Sequence, residues 1–153
     1  MSEFMPESWW KIEVPKLQNL MGRQHPMPAA RQQRTGLTLW ELDARSGRDE
    51  LGAVATYAQY WARELDEIPP FHARGQPDWE RFSAWVWTQP GRIGWRFTVV
   101  AAATFTRDDS TSSRTPCWSL QFVWAHPFSR HRGVWAEAWL LFLQRFLLLR
   151  IEP

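Results

Sequence analysis

From Trp95 to Thr106 the chain alternates with a period of two. Trp95, Phe97, Val99, Ala101, Ala103 and Phe105 fall on one side, and Arg96, Thr98, Val100, Ala102, Thr104 and Thr106 on the other. Aromatic and β-branched residues in that order specify a long strand, and a strand needs neighbours for its main-chain N–H and C=O groups. The polar loop Arg107 to Pro116 turns the chain back antiparallel, after which Trp118, Leu120, Phe122 and Trp124 alternate with Ser119, Gln121, Val123 and Ala125. A hairpin of two long strands is therefore the element around which the rest must pack.

Upstream of the hairpin, Leu51, Val54, Ala55, Ala58, Trp61, Ala62 and Leu65 recur at helical spacing. The helix they predict ends before Pro69-Pro70, which can neither continue it nor donate a main-chain hydrogen bond. Trp79, Phe82 and Val86, spaced three and four apart after Pro77-Asp78, predict a second short helix over 78–87, closed by Pro90-Gly91. Leu37 to Leu42 reads as a brief strand. Residues 1–36, with Pro6, Pro15, Pro26 and Pro28, read as an N-terminal arm or docking segment, in which Trp9 and Trp10 with Ile12 and Val14 form a short edge strand. Residues 37–153 are left as a single domain, a size at which one core is the rule.

The chain carries 12 Trp against 2 Tyr, so large rings should fill the interior, with some indole surface left outside. Trp61, Trp79, Trp85 and Trp87 are assigned to the core. No apolar run is long enough to span a membrane, and the N-terminus lacks a basic stretch followed by an apolar core, so a cytoplasmic protein is expected. Cys117 stands alone, and His25 and His72 lie in Pro-rich stretches without ligand spacing, so no metal site is expected. The 18 basic side chains are Arg except for Lys11 and Lys16, yet the net charge is only +2, too little for a general nucleic-acid footprint.

After the second strand comes His126-Pro127, then Phe128-Ser129-Arg130-His131-Arg132-Gly133, then an amphipathic run from Val134 to Phe146, and finally the apolar stretch Leu147 to Ile151. Strand, basic glycine-containing loop and helix together make an anion holder. The first turn of a helix leaves N–H groups without partners, and the aligned peptide dipoles place roughly half a positive charge there. Arg130, His131 and Arg132 add charge around those donors, and Gly133 lets the main chain approach an oxygen without a Cβ in the way.

In this order, Phe122 to Pro127 and then Arg130-His131-Arg132-Gly133-Val134-Trp135, the sequence resembles the GNAT acyltransferases. Their loop reads Gln or Arg, two residues, Gly, one residue, then Gly or Ala; Arg130 and Gly133 match it, and Trp135 stands where the family has a small residue. The resemblance implies an α/β (α+β) fold with a mixed, mainly antiparallel central sheet flanked by helices, truncated after the strand that follows the cofactor-loop helix. It also implies acetyl-CoA as cofactor. Phe122, Val123, Trp124 and Ala125 would line the pantetheine arm, and Arg130, His131, Arg132, Gly133, Val134 and Trp135 would surround the pyrophosphate of coenzyme A. Because the family continues beyond that strand, the missing wall is expected from the arm, from a partner subunit, or from nowhere.

Acyl transfer to an amine needs a base and donors for the thioester oxyanion. The family's central-strand carboxylate is absent from Ser119, Gln121 and Val123. His126 is the nearest titratable residue and the candidate base, against the simpler role of fixing the turn before Pro127. Two functions follow from these residues. One is an acyl-CoA-dependent N-acyltransferase; the other is a noncatalytic GNAT-like protein that binds another macromolecule, as an oligomer or an inhibitor.

Overall fold

The computed structural model describes residues 14–25, 36–91, 94–108, 117–130, 134–146 and 148–151. Its centre is β5 (Phe97–Asp108), paired antiparallel along one edge with β4 (Phe82–Pro90) and along the other, from Ala101 onward, with β6 (Cys117–Ala125). Outside β4 lie β3 (Thr38–Glu41) and β2 (Arg23–His25), both antiparallel; outside β6 lies β7 (Leu148–Ile151), which runs parallel to it. The short β1 (Lys16–Leu17) pairs with Thr98 and Phe97 of β5. Since β4 already holds one edge of β5 there, β1 takes the edge that β6 vacates.

Two helices cover the two faces. Helix α1 (Arg48–Leu65) starts at Gly47, whose N–H is accepted by the Glu50 carboxylate, and ends at Asp66 in the left-handed region with φ 55°. Its apolar stripe, Leu51, Val54, Tyr57 and Ala58, packs on Phe82, Ala84, Val86, Val99 and Ala102. Helix α2 (Val134–Arg145) covers the other face, where Ala138, Phe142 and the following Phe146 meet Leu39, Trp85, Trp87, Ala101 and Phe105. Phe142 is the hub of that layer, 4.9 Å between ring centroids from both Trp85 and Phe105. Each such ring removed from water contributes about 1.5–3 kcal/mol. Where α2 ends, Arg145 reaches Glu41 at 2.9 Å, and His25 Nε2 lies 3.1 Å from the same carboxylate, tying the β2–β3 edge to the helix.

Two expectations change. The segment 78–87 is not a helix: a turn at Trp79–Arg81 leads into β4. Phe82, Ala84 and Val86 face α1 while Trp85 and Trp87 face α2, so both sides are buried and the polar alternation that marks a strand is missing. The even alternation read in the hairpin is also interrupted twice. Thr88 opposes Val99 and Trp87 opposes Ala101, leaving Val100 as an extra residue in β5. Thr104 opposes Phe122 and Phe105 opposes Leu120, leaving Gln121 extra in β6. Across that bulge the strand changes phase: Trp118 and Leu120 face α2, whereas Phe122 and Trp124 face α1.

Residues 16–17 and 23–25, read from sequence within the arm, are strands of the sheet. The edge strand expected around Trp9 and Trp10 lies outside the described residues, as does the loop from Asp109 to Pro116. Trp85 and Trp87 are core residues, Trp61 and Trp79 pack half-buried on the α1 layer, and Trp95 is 45% exposed.

Candidate active site

All of β7 pairs with the first half of β6. The pairs run from Cys117↔Leu148 to Leu120↔Ile151, and beyond Leu120 no strand flanks β6 on that side among the described residues. The Gln121 bulge directly follows the last residue paired with β7. Past it, His126 donates its main-chain N–H to Val100 O at 2.9 Å, toward β5. Main-chain groups alternate edges along a strand, so Ala125 and Val123 turn theirs to the opposite, open edge. The Ala125 carbonyl there accepts Arg130 Nε at 3.0 Å.

A cleft of about 610 Å³ opens beside this part of β6. One wall is Ser119 to Val123; the other is the end of α1 and the segment after it, Trp61, Leu65, Glu67 and Pro70. Glu67 is held by its main chain, since its N–H closes the helix on Ala62 O at 2.8 Å. Near the far end of the open edge, the Arg130 guanidinium makes two bonds to Glu64, 2.9 and 2.6 Å, and lies 5.0 Å over the Trp124 ring. The Trp124 indole N–H donates to the same carboxylate. The Arg130 hydrogen bonds hold the Glu64 carboxyl below its ordinary value, against burial, which pushes it up.

The structure treats the residues named from sequence unequally. His131, Arg132 and Gly133 lie outside the described residues. Arg130, expected to lend charge to an anion, gives its guanidinium to Glu64 and Ala125, because that carboxylate is presented to it by α1. Val134 opens α2. The Trp135 indole packs along the helix on Trp139 and Phe142, 5.3 and 5.4 Å between centroids, and so belongs to the layer against the sheet. Phe122 and Trp124 bury their rings under α1; it is Val123 and Ala125 whose main chains face the gap. His126 is 2% exposed, does not line the cleft, and accepts Ser129 N–H at 2.7 Å, the bond that makes the turn.

Sequence reading missed the α1 wall. Glu64, Asp66 and Glu67 crowd the end of a helix where the dipole is negative and carboxylates are disfavoured, and that placement was a legible signal. Among the described residues no cluster of His, Cys, Asp or Glu has the makings of a metal site, and no helix is long and apolar enough to cross a membrane.

No protein-family model matches the chain, and no curated protein matches it in sequence. Solved structures match in fold. A possible acetyltransferase from Clostridium difficile 630 superposes with a TM-score of 0.56 at 14% identity, over 76% of this chain and 79% of that one. A predicted acetyltransferase with acetyl-CoA from Clostridium acetobutylicum gives 0.56 at 9% identity, over 76% and 80%. An aminoglycoside acetyltransferase from an uncultured soil metagenomic sample, in complex with sisomicin, gives 0.52 at 11% identity, over 77% and 78%.

Proposed function

We propose, on the premise that the chain has the GNAT fold, that it is an acyl-CoA-dependent N-acyltransferase. The observation that carries this reading is the edge of β6 beyond Leu120, which no strand flanks among the described residues, with the main chain of Val123 and Ala125 turned to that edge beside the cleft. An extended amide-containing arm pairs with such an edge as an added strand would. Coenzyme A fits on this count: its pantetheine amides would find main-chain partners at Val123 and at the Ala125 N–H, the Ala125 carbonyl already accepting Arg130 Nε.

When bound, the cofactor supplies an acyl group as a thioester. The chain's own residues do the rest. The N–H groups in the first turn of α2, at Val134, Trp135 and Ala136, which have no acceptor within the helix, favour the pyrophosphate, and His131, Arg132 and Gly133 precede them in sequence. The Gln121 bulge interrupts the β5 ladder beside the cleft, and there a main-chain N–H would donate to the oxyanion. Arg130 and Glu64 position the turn and α1 relative to each other. His126 serves the turn, and its burial away from the cleft argues against a role as base.

The test is ligand linkage. A cofactor bound to the native state stabilises it by about 2.7 kcal/mol at a hundredfold excess over Kd, so acetyl-CoA raises the melting temperature, and acetyl transfer to an amine is then read by mass. No rise at millimolar acetyl-CoA rejects the reading and leaves the noncatalytic one.

A further inference from the structure

We infer that the cleft beside β6 takes a primary amine bearing one positive charge on an apolar, ring-sized body, and that the Glu67 carboxylate holds its ammonium group. The inference rests on the N-acyltransferase reading and adds the acceptor's chemical class.

Charge comes first. Three carboxylates, Glu64, Asp66 and Glu67, stand at the C-terminal end of α1, where the helix dipole already concentrates negative potential. That arrangement opposes folding unless cations offset it. Arg130 offsets Glu64. Glu67 has no ion-pair partner among the described residues, and it is the one ionisable side chain lining the cleft among them. Its main chain is fixed at the helix end by the bond to Ala62 O. The cleft thus presents a carboxylate that no cation among the described residues offsets.

Shape and polarity set the body. Around Glu67 the walls are Trp61, Leu65 and Pro70 on one side and Leu120, Phe122 and Val123 on the other, with Ser119 and Gln121 as neutral polar groups. Leu65 is 55% exposed, an apolar surface that a ligand would cover. A second ammonium on the acceptor would find no second carboxylate among the residues that line the cleft and so would gain nothing from its walls. Polyamines and aminosugars are therefore disfavoured, whereas a phenethylamine-like molecule places its ring on the apolar walls and its ammonium at Glu67.

Calorimetric titration of the full chain without acetyl-CoA, at low salt, uses three probes: phenethylamine, its neutral N-acetyl derivative, and spermidine. Phenethylamine is expected to bind at least about tenfold more tightly than either of the others, a difference of about 1.4 kcal/mol. Glu67→Gln should lose about tenfold in phenethylamine affinity, while Glu80→Gln, an exposed carboxylate outside the cleft, should lose none. An unchanged melting temperature of unliganded Glu67→Gln shows that the fold is intact. Equal affinity in wild type and Glu67→Gln, or tighter binding of spermidine, overturns the inference. If acetyl-CoA raises the melting temperature while amine binding ignores Glu67, the acyltransferase reading stands and this inference falls. If amine binding depends on Glu67 but acetyl-CoA has no effect, the carboxylate's role is upheld and the acyltransferase reading falls.

Discussion

Glu64 and Arg130 meet through two hydrogen bonds, 2.9 and 2.6 Å, although 66 residues separate them in the chain. The pair joins the last turn of α1 to the turn that leaves β6, and Arg130 is bonded in addition to the Ala125 carbonyl. It therefore sets the distance between the α1 wall of the cleft and the open edge of the strand.

Breaking this pair should cost modest stability and impose a pH dependence. The two side chains are 29% and 30% exposed, so solvent screening limits the loss for Arg130→Ala to about 1 kcal/mol in urea unfolding at pH 7. The Glu64 carboxyl is held below its ordinary value of 4.5, chiefly by Arg130. A depressed carboxylate adds stability above its unfolded value and loses it as pH falls through the folded one. The stability gap between wild type and Glu64→Gln should thus be full above pH 4.5 and shrink progressively below it.

Open-edge geometry distinguishes neighbouring positions in β6. Val123 turns its N–H away from β5, so Val123→Pro should fold, as proline does on an unpaired strand edge, yet lose at least about tenfold in acetyl-CoA affinity. Trp124→Pro removes an N–H that belongs to the β5 side and should not fold. Circular dichroism for folding and melting-temperature shifts for binding decide both.

The α2 layer should be the most sensitive part of the core. Phe142 touches Trp85 and Phe105 with ring centroids 4.9 Å away and is fully buried. Phe142→Ala should cost about 3–5 kcal/mol by chemical denaturation. The double variant with Trp85→Ala should cost less than the sum, because both delete the same contact.

Asp66 closes α1 with φ 55°, a conformation that glycine, asparagine and aspartate tolerate and β-branched residues do not. Asp66→Val should lower stability by about 1–2 kcal/mol, whereas Asp66→Gly should cost nothing measurable in a thermal melt.

Much of the element order was legible because it is a local property. Leu51 to Leu65 repeats at helical spacing whether or not a sheet is beside it, and Trp118 to Ala125 has the composition of a strand in isolation. The misreading at 78–87 has the opposite cause. Trp85 and Val86 are buried on opposite faces of β4, so the polar half of the alternation disappears and spacings of three and four are left to mislead.

The candidate site was legible only in outline. The basic stretch from Arg130 to Gly133 before a helix was visible, but its placement in space was not, and the wall bearing Glu64 and Glu67 went unseen because nothing local links it to β6. Residue order and periodicity by themselves determined which segments become helices and most of the strands, since those depend on how each segment divides its own apolar and polar groups. Only the tertiary structure decided that Gln121 bulges, that β7 pairs parallel with the first half of β6, and that Arg130 belongs to Glu64. Those outcomes depend on which main-chain groups and charges meet across distant strands and helices, and that pairing is a property of the packed sheet.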